Sequence, residues 1–232
     1  WREFMNKNFS QLNITPIKLS PSDLTFLFDD CKRCFYEKVK NNNPRPSTPF
    51  PKMFNTIDNL MKLHYEGKST KEISRELEEG HVHFGDKWVE SKVFRCKETG
   101  ISCFFRGRTD TVVKFDKNGF GIVDFKTSYI KEENIEFYSR QLHAYSLALE
   151  NAKDGFPSLK PISELGLLVC EPKFMTQPNI EEFSFNGPIK YQKIVRDDKK
   201  FFSFLRSVLA LLGNPIPPNP SSNCKVCKLR IN

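Results

Sequence analysis

The sequence predicts an α/β fold, a mixed central sheet flanked by helices, on three observations. Two segments rich in aromatic and β-branched residues, 101–115 and 120–126, are joined by the polar turn Asp116-Lys117-Asn118-Gly119, a β-hairpin signal. A helical-period segment over 132–150 follows directly. A short apolar run, Leu165-Gly166-Leu167-Leu168-Val169-Cys170, is bounded by turn signals and reads as a buried strand. At 232 residues the chain fits one domain, 1–232, large enough for a substantial core.

Residues 1–19 alternate without a firm period and read as an irregular lead-in. Ser20-Pro21-Ser22-Asp23 then signals a helix start: a serine cap, proline at the first helical position and acid against the dipole. Leu24, Leu27, Phe28, Cys31, Cys34 and Phe35 share one face of that helix. Four prolines make 41–52 a loop. A second helix is expected over 53–65, with Phe54, Ile57, Leu60 or Met61, and His64 on its stripe. Residues 68–80 suggest a short charged helix, and 81–86 a turn whose two histidines are surface residues.

Strands over 88–96 and 101–115 flank the turn Lys97-Glu98-Thr99-Gly100. Glu90, early in the first, reads as an exposed strand residue. In the helix over 132–150 the stripe is Ile135, Tyr138, Leu142, Tyr145 and Leu149, with Gln141 and Tyr145 four apart on one face. An edge strand is expected over 179–185. A long helix over 194–212 packs through its phenylalanines and leucines, and Gly213-Asn214-Pro215 stops it before a proline-rich loop.

The chemistry is concentrated in the hairpin. Acidic residues are depleted in strands, yet Asp110 and Asp124 each interrupt an apolar run. Carboxylates that converge at one end of a sheet repel unless a cation lies between them, and such hard oxygen ligands suit Mg²⁺ or Mn²⁺. Lys126 lies two residues beyond Asp124 and so shares its strand face. A metal on two aspartates beside an ammonium is equipment for attacking a phosphate. Arg106 and Arg108, just before the first aspartate, are candidates for phosphate contact.

Gly107-Arg108-Thr109-Asp110, then Val123-Asp124-Phe125-Lys126-Thr127, then Gln141-Leu142-His143-Ala144-Tyr145 resemble the core motifs of the PD-(D/E)xK nucleases. The branch they resemble is the RecB-like one, with the nuclease domains of RecB and AddB and the CRISPR-associated exonucleases. The resemblance implies a restriction-endonuclease-like fold and metal-dependent hydrolysis of DNA phosphodiester bonds. It implies Asp110, Asp124 and the Phe125 carbonyl as metal ligands and Lys126 as the catalytic lysine. It also brings Gln141 and Tyr145 toward the attacking water or the nucleic-acid backbone. Where the family carries a metal-binding histidine, the alignment places Asp58; this departs from the pattern, and His64 competes for the position. A helicase or other DNA-processing partner follows by analogy alone. Exo- or endonuclease action, polarity and strand preference are not readable. The alternative function is a non-cleaving nucleic-acid-binding or partner-recruiting module on the same fold.

Seven cysteines, an odd number in a chain without a loop-rich look, do not describe a disulfide scaffold. Cys96, Cys103 and Cys170 read as small buried residues. Cys31-x-x-Cys34 and Cys224-x-x-Cys227 form a four-thiolate set able to hold zinc or an iron–sulfur cluster, and so to clamp 31–34 to 224–227. Several RecB-like nucleases carry a [4Fe-4S] clamp built from one early and three late cysteines. Cys31, Cys224 and Cys227 match three of these, and either Cys34 replaces the fourth or that ligand lies beyond the sequence. The order of preference is therefore the cluster, then zinc, then free thiols.

Composition sets the remaining bounds. The balance of 36 basic against 28 acidic residues, net +8, fits a polyanion such as DNA. No apolar run approaches a membrane span. The sequence begins at Trp1 and so reads as processed or partial. It has no secretory signal pattern, which leaves an intracellular place, cytoplasmic or nucleoid-associated.

Overall fold

The computed structural model describes residues 15–46 and 52–231. In chain order the strands are β1 (Ile17–Leu19), β2 (Gly80–Glu90), β3 (Phe94–Arg95), β4 (Ser102–Phe115), β5 (Phe120–Lys126), β6 (Ile162–Cys170), β7 (Phe174–Thr176), β8 (Ser184–Asn186) and β9 (Ile189–Ile194). The helices are α1 (Leu27–Asp30), α2 (Lys32–Lys40), α3 (Lys52–Tyr65), α4 (Thr70–Ile73), α5 (Ile135–Glu150), α6 (Asp198–Gly213) and α7 (Lys225–Ile231).

The main sheet runs β1-β4-β5-β6-β9, with β2 and β3 also on β4. It is mixed: β1 is parallel to β4 and β5 to β6, whereas the β4–β5 and β6–β9 pairs are antiparallel. The crossover between parallel β5 and β6 contains α5, as a parallel connection requires. The larger core joins α2, α5 and α6 to the sheet through Phe35, Val112, Ile122, Leu142, Leu149 and Leu205. A smaller core packs Met61 and Tyr65 of α3 against Val113, Val123, Phe125 and Leu168. Each fully buried leucine contributes roughly 1.5–3 kcal/mol, so Leu142→Ala at the centre of α5 costs about 2–5 kcal/mol.

Several expectations need correction. Of the lead-in, residues 1–14 lie outside the described residues, but Ile17–Leu19 is a strand that finds its partner in Cys103–Phe105 of β4. The expected entry helix is three pieces: a 3₁₀ turn over Pro21–Leu24, then α1, then α2. Cys31 breaks it with extended backbone, φ −161° and ψ 106°. Ser20 caps no backbone amide and shares a hydrogen bond with Ser22 Oγ at 3.0 Å. Residues 47–51 of the proline loop lie outside the described residues.

The charged helix over 68–80 shrinks to α4, closed by a capping box of Ser69 and Glu72. Residues 81–86 are not a turn but the first half of β2, with a register shift between Val82 and Phe84. Asp86 takes a left-handed φ of 52° there, which aspartate tolerates better than most residues. Residues 179–185 lie outside the main sheet; only Ser184–Asn186 is a strand, and it pairs with β7. The last long helix begins at Asp198, where Asp197 accepts a capping bond from the Lys200 amide at 2.9 Å, and Ile189–Ile194 before it is an edge strand. The chain then finishes in α7. No helix among the described residues is long and apolar enough to cross a membrane.

Candidate active site and the four-cysteine cluster

β4 and β5 pair as far as Thr111 and Val123, the last rung before Asp110 and Asp124. Beyond it the ladder stops, and the freed Phe125 amide donates instead to Asp110 Oδ2 at 3.0 Å. The Asp110 side chain therefore closes the fork between the strands. Across the fork, Asp124 is 3% exposed, and Gln141 Nε2 of α5 donates to its Oδ1 at 3.2 Å. The Lys126 ammonium stands against Asp124 Oδ2, which accepts no well-directed hydrogen bond. Burial pushes the Asp124 carboxyl up to about 7, with the Asp110 charge adding to the rise and Lys126 opposing it. Burial would pull Lys126 down, but Asp124 and Asp110 outweigh it and hold the lysine above its ordinary value. Its ammonium also lies 4.9 Å from the Tyr138 ring centre.

Asp58 reaches the same fork indirectly. Lys62, one turn further along α3, sets its ammonium 2.7 Å from Asp58 Oδ2, 3.0 Å from Asp110 Oδ1 and 3.8 Å from Asp86 Oδ1. Neither Lys62 nor Asp86 was singled out from the sequence. The i,i+4 spacing of Asp58 and Lys62 was the available signal, whereas Asp86 arrives only through the bend in β2. His64 instead contacts Lys68 at 3.0 Å and the Tyr65 ring.

The other expected residues divide. Arg106 Nε lies 3.4 Å from Glu90 Oε2, and Arg108 Nη2 lies 2.5 Å from Asp86 Oδ2; both side chains remain about half exposed. Glu90 is not an exposed strand residue: it is 3% exposed and paired with Lys153 as well. Tyr145, expected near the nucleic-acid backbone, is likewise buried. It is 5% exposed, and its hydroxyl donates to the Arg108 carbonyl at 2.6 Å, which positions β4 from behind. Close packing there also requires Gly107, where a Cβ would meet Pro21 at 2.9 Å and Tyr145 at 3.1 Å.

A family model described as the PD-(D/E)XK nuclease superfamily matches residues 52–231. The chain belongs to this superfamily. Its mixed sheet flanked by helices is accordingly a restriction-endonuclease-like fold. Among solved structures, the crystal structure of SSO0001 is similar at 13% identity and a TM-score of 0.48, covering 96% of this chain and 87% of that one. No curated protein matches the chain. Superfamily members typically use divalent metals, and the carboxylate fork fits one: its donors are hard oxygens, and Asp124 carries a buried oxygen without a directed hydrogen bond.

Cys224 and Cys227 lie within the matched range, and Cys31 and Cys34 precede it. The extended backbone at Cys31 and the first turn of α2 turn two thiols toward two from the start of α7. The sulfur of Cys34 lies 3.5 Å from that of Cys224 and 3.5 Å from that of Cys227, and the Cys31 sulfur lies 3.7 Å from that of Cys227. All four lie within 4.8 Å of one another and are buried. Burial resists ionisation of Cys31, but backbone bonds at Ser221 and Cys34 and the neighbouring thiols bring it down to about 6. Arg45 donates to Cys224 Sγ at 3.9 Å, placing a cation beside the set. Burial and the neighbouring thiols instead push Cys34 and Cys227 up, so it is the spacing of the four sulfurs that puts one shared metal ion within reach without rearranging the backbone. Cys96 and Cys103 are buried elsewhere, in the main core.

Proposed function

We propose that the protein is a divalent-metal-dependent nuclease that hydrolyses DNA phosphodiester bonds. The observation that carries this reading is the buried Asp124 carboxylate, shared between Lys126 and Gln141 and set beside Asp110 at the strand fork. Ionic groups in a sheet interior cost several kcal/mol each, so a purely structural sheet has no use for this arrangement. Asp110 and Asp124 would hold Mg²⁺ or Mn²⁺, with Asp58 and the Phe125 carbonyl as further oxygen donors. When bound, the cation would supply a Lewis acid against the phosphoryl oxygens. Lys126 keeps its charge beside Asp124 and stabilises negative charge that develops on the phosphate. Gln141 fixes the rotamer of Asp124 and, facing the fork, helps orient the attacking water. Arg106 and Arg108 contact the backbone phosphates.

We read residues 1–232 as one nuclease domain of the RecB-like branch, its two ends tied by metal at the cysteines. The sulfur spacing supports zinc over the [4Fe-4S] cluster preferred from sequence. Tetrahedral thiolates at the zinc–sulfur distance stand about 3.8 Å apart, whereas a cluster puts each thiolate on its own iron and spreads them further. A helicase or other DNA-processing partner stays an analogy from that branch.

The test is cleavage of plasmid DNA with Mg²⁺ or Mn²⁺, expected to stop in EDTA and to fall at least a hundred-fold in Asp124→Asn and Asp110→Asn. Cleavage that persists in EDTA, or in both variants, would overturn the reading and leave a non-cleaving binding module or adventitious nuclease as the account.

A further inference from the structure

Trp88 is the largest side chain on the sheet with no place in either core. It is 51% exposed on β2, which among the described strands pairs with β4 alone. A tryptophan left half in water forfeits part of the burial that usually accounts for its use, so its surroundings matter. Trp88 is directly opposite Arg108 in the antiparallel register, and Glu90 is opposite Arg106. Opposed residues share a face, and no register shift interrupts this part of the pair. One face thus carries Asp110, Arg108 and Arg106 along β4 with Trp88 beside them. The Arg106 guanidinium lies 5.4 Å from the Trp88 ring centre, held by the buried Glu90. The ring is therefore oriented on one side by a stacked cation while half its surface stays open. Arg108 is the next residue on the face after Asp110, about 7 Å along the strand.

We propose that Trp88 is a base-stacking platform, and that the preferred substrate is single-stranded DNA or an unpaired end entering the fork over β2. An extended single strand repeats on the same scale as the step from Asp110 to Arg108, so a phosphate at the fork brings a neighbouring base level with the indole. Stacking on an aromatic face beside basic side chains is how single strands are held without sequence preference. A paired duplex keeps its bases stacked on one another and offers the ring no face. The inference deepens the nuclease reading and rests on it for the position of the scissile phosphate.

The experiment measures binding of a fluorescein-labelled oligo(dT) and of a blunt hairpin duplex in EDTA, where no metal-dependent cut occurs. Trp88→Ala should weaken oligo(dT) binding ten-fold or more and duplex binding less than two-fold, while Trp88→Tyr keeps most of the affinity. Equal losses on both ligands, unchanged oligo(dT) binding in Trp88→Ala, or no oligo(dT) binding by the unaltered protein would each overturn the platform. A readout without substitution is photocrosslinking of oligo(dT) carrying 5-iododeoxyuridine, expected at Trp88; crosslinks confined to other residues count against it. Failure of the nuclease reading looks different: stacking at Trp88 persists but Mg²⁺ produces no cut. Conversely, Mg²⁺-dependent cleavage with identical strand preference in Trp88→Ala sinks the platform and leaves the nuclease standing.

Discussion

The Lys62 ammonium lies 3.0 Å from Asp110 Oδ1, so this carboxylate is already held by a cation of the chain's own. The same ammonium lies 2.7 Å from Asp58. A divalent ion drawn to these oxygens meets an internal competitor. Lys62→Ala should therefore bind Mn²⁺ more tightly, by roughly five-fold, an effect on the order of the 1 kcal/mol of a partly exposed ion pair. The metal-free variant should also melt earlier, because Asp58, Asp86 and Asp110 lose the charge they share. Calorimetric titration of Mn²⁺ decides it; an unchanged affinity would place Lys62 outside the metal's reach.

Lys126 makes a different prediction. Its partner Asp124 offers Oδ1 to Gln141, so removing the ammonium leaves the carboxylate oriented. Lys126→Ala should keep metal affinity within a few-fold while the cleavage rate drops about 10²–10³-fold, as for loss of a transition-state charge partner. Loss of metal binding as large as in Asp124→Asn would make the lysine structural.

At the cysteines, binding energy is folding energy. Cys227→Ser should lower the Tm and abolish stoichiometric metal, and the unaltered protein should be colourless with one zinc per chain by elemental analysis. Cys96→Ala and Cys103→Ala should retain the metal, since both sulfurs lie in the main core. A brown protein containing iron would restore the iron–sulfur cluster as the occupant.

His143 supplies a pH dependence. Its Nδ1–H donates to the Ser139 carbonyl at 2.8 Å, and Nε2 accepts the Asp197 amide at 2.8 Å, which fixes the neutral ring. Burial, joined by the Arg196 charge, holds its pKa below the ordinary histidine value. The unfolded chain therefore takes up the proton first, and stability that is complete above about pH 6.5 declines as pH falls through the window below it. Urea melts at pH 5.5 and 7.5 should show this difference, and His143→Gln should shrink it while lowering stability at both. An equal pH response in the variant would assign the loss to other groups.

The hairpin and α5 were legible because their patterns are long and periodic, the β6 run because it is apolar throughout between turn signals, and the site because a carboxylate in an apolar strand stands out. Lys62 was not, since a lysine on an amphipathic helix reads as solvated until the fold brings Asp110 to it. β1 is three residues long and exists because β4 extends past β5, whose pairing stops at Thr111 and leaves Cys103–Phe105 open on that side. Ile189–Ile194 ran into the apolar stripe of α6, and the capping Asp197 between them was the overlooked boundary. The order of β2 depends on β4 in the same way, which left Gly85-Asp86 looking like a turn.

The cysteine set has a consequence for how the protein is made. Cys34 and Cys224 lie 190 positions apart in sequence, and their sulfurs lie 3.5 Å apart in space. A ribosome delivers Cys31 and Cys34 early, and these two thiols wait while the whole sheet is synthesised and paired, since domains assemble from their N-terminal parts onward. Only when Cys224 and Cys227 emerge do all four donors exist at once. A metal held by all four thiols would therefore load after the sheet between them has been made, as a seal on that sheet rather than a nucleus for its folding.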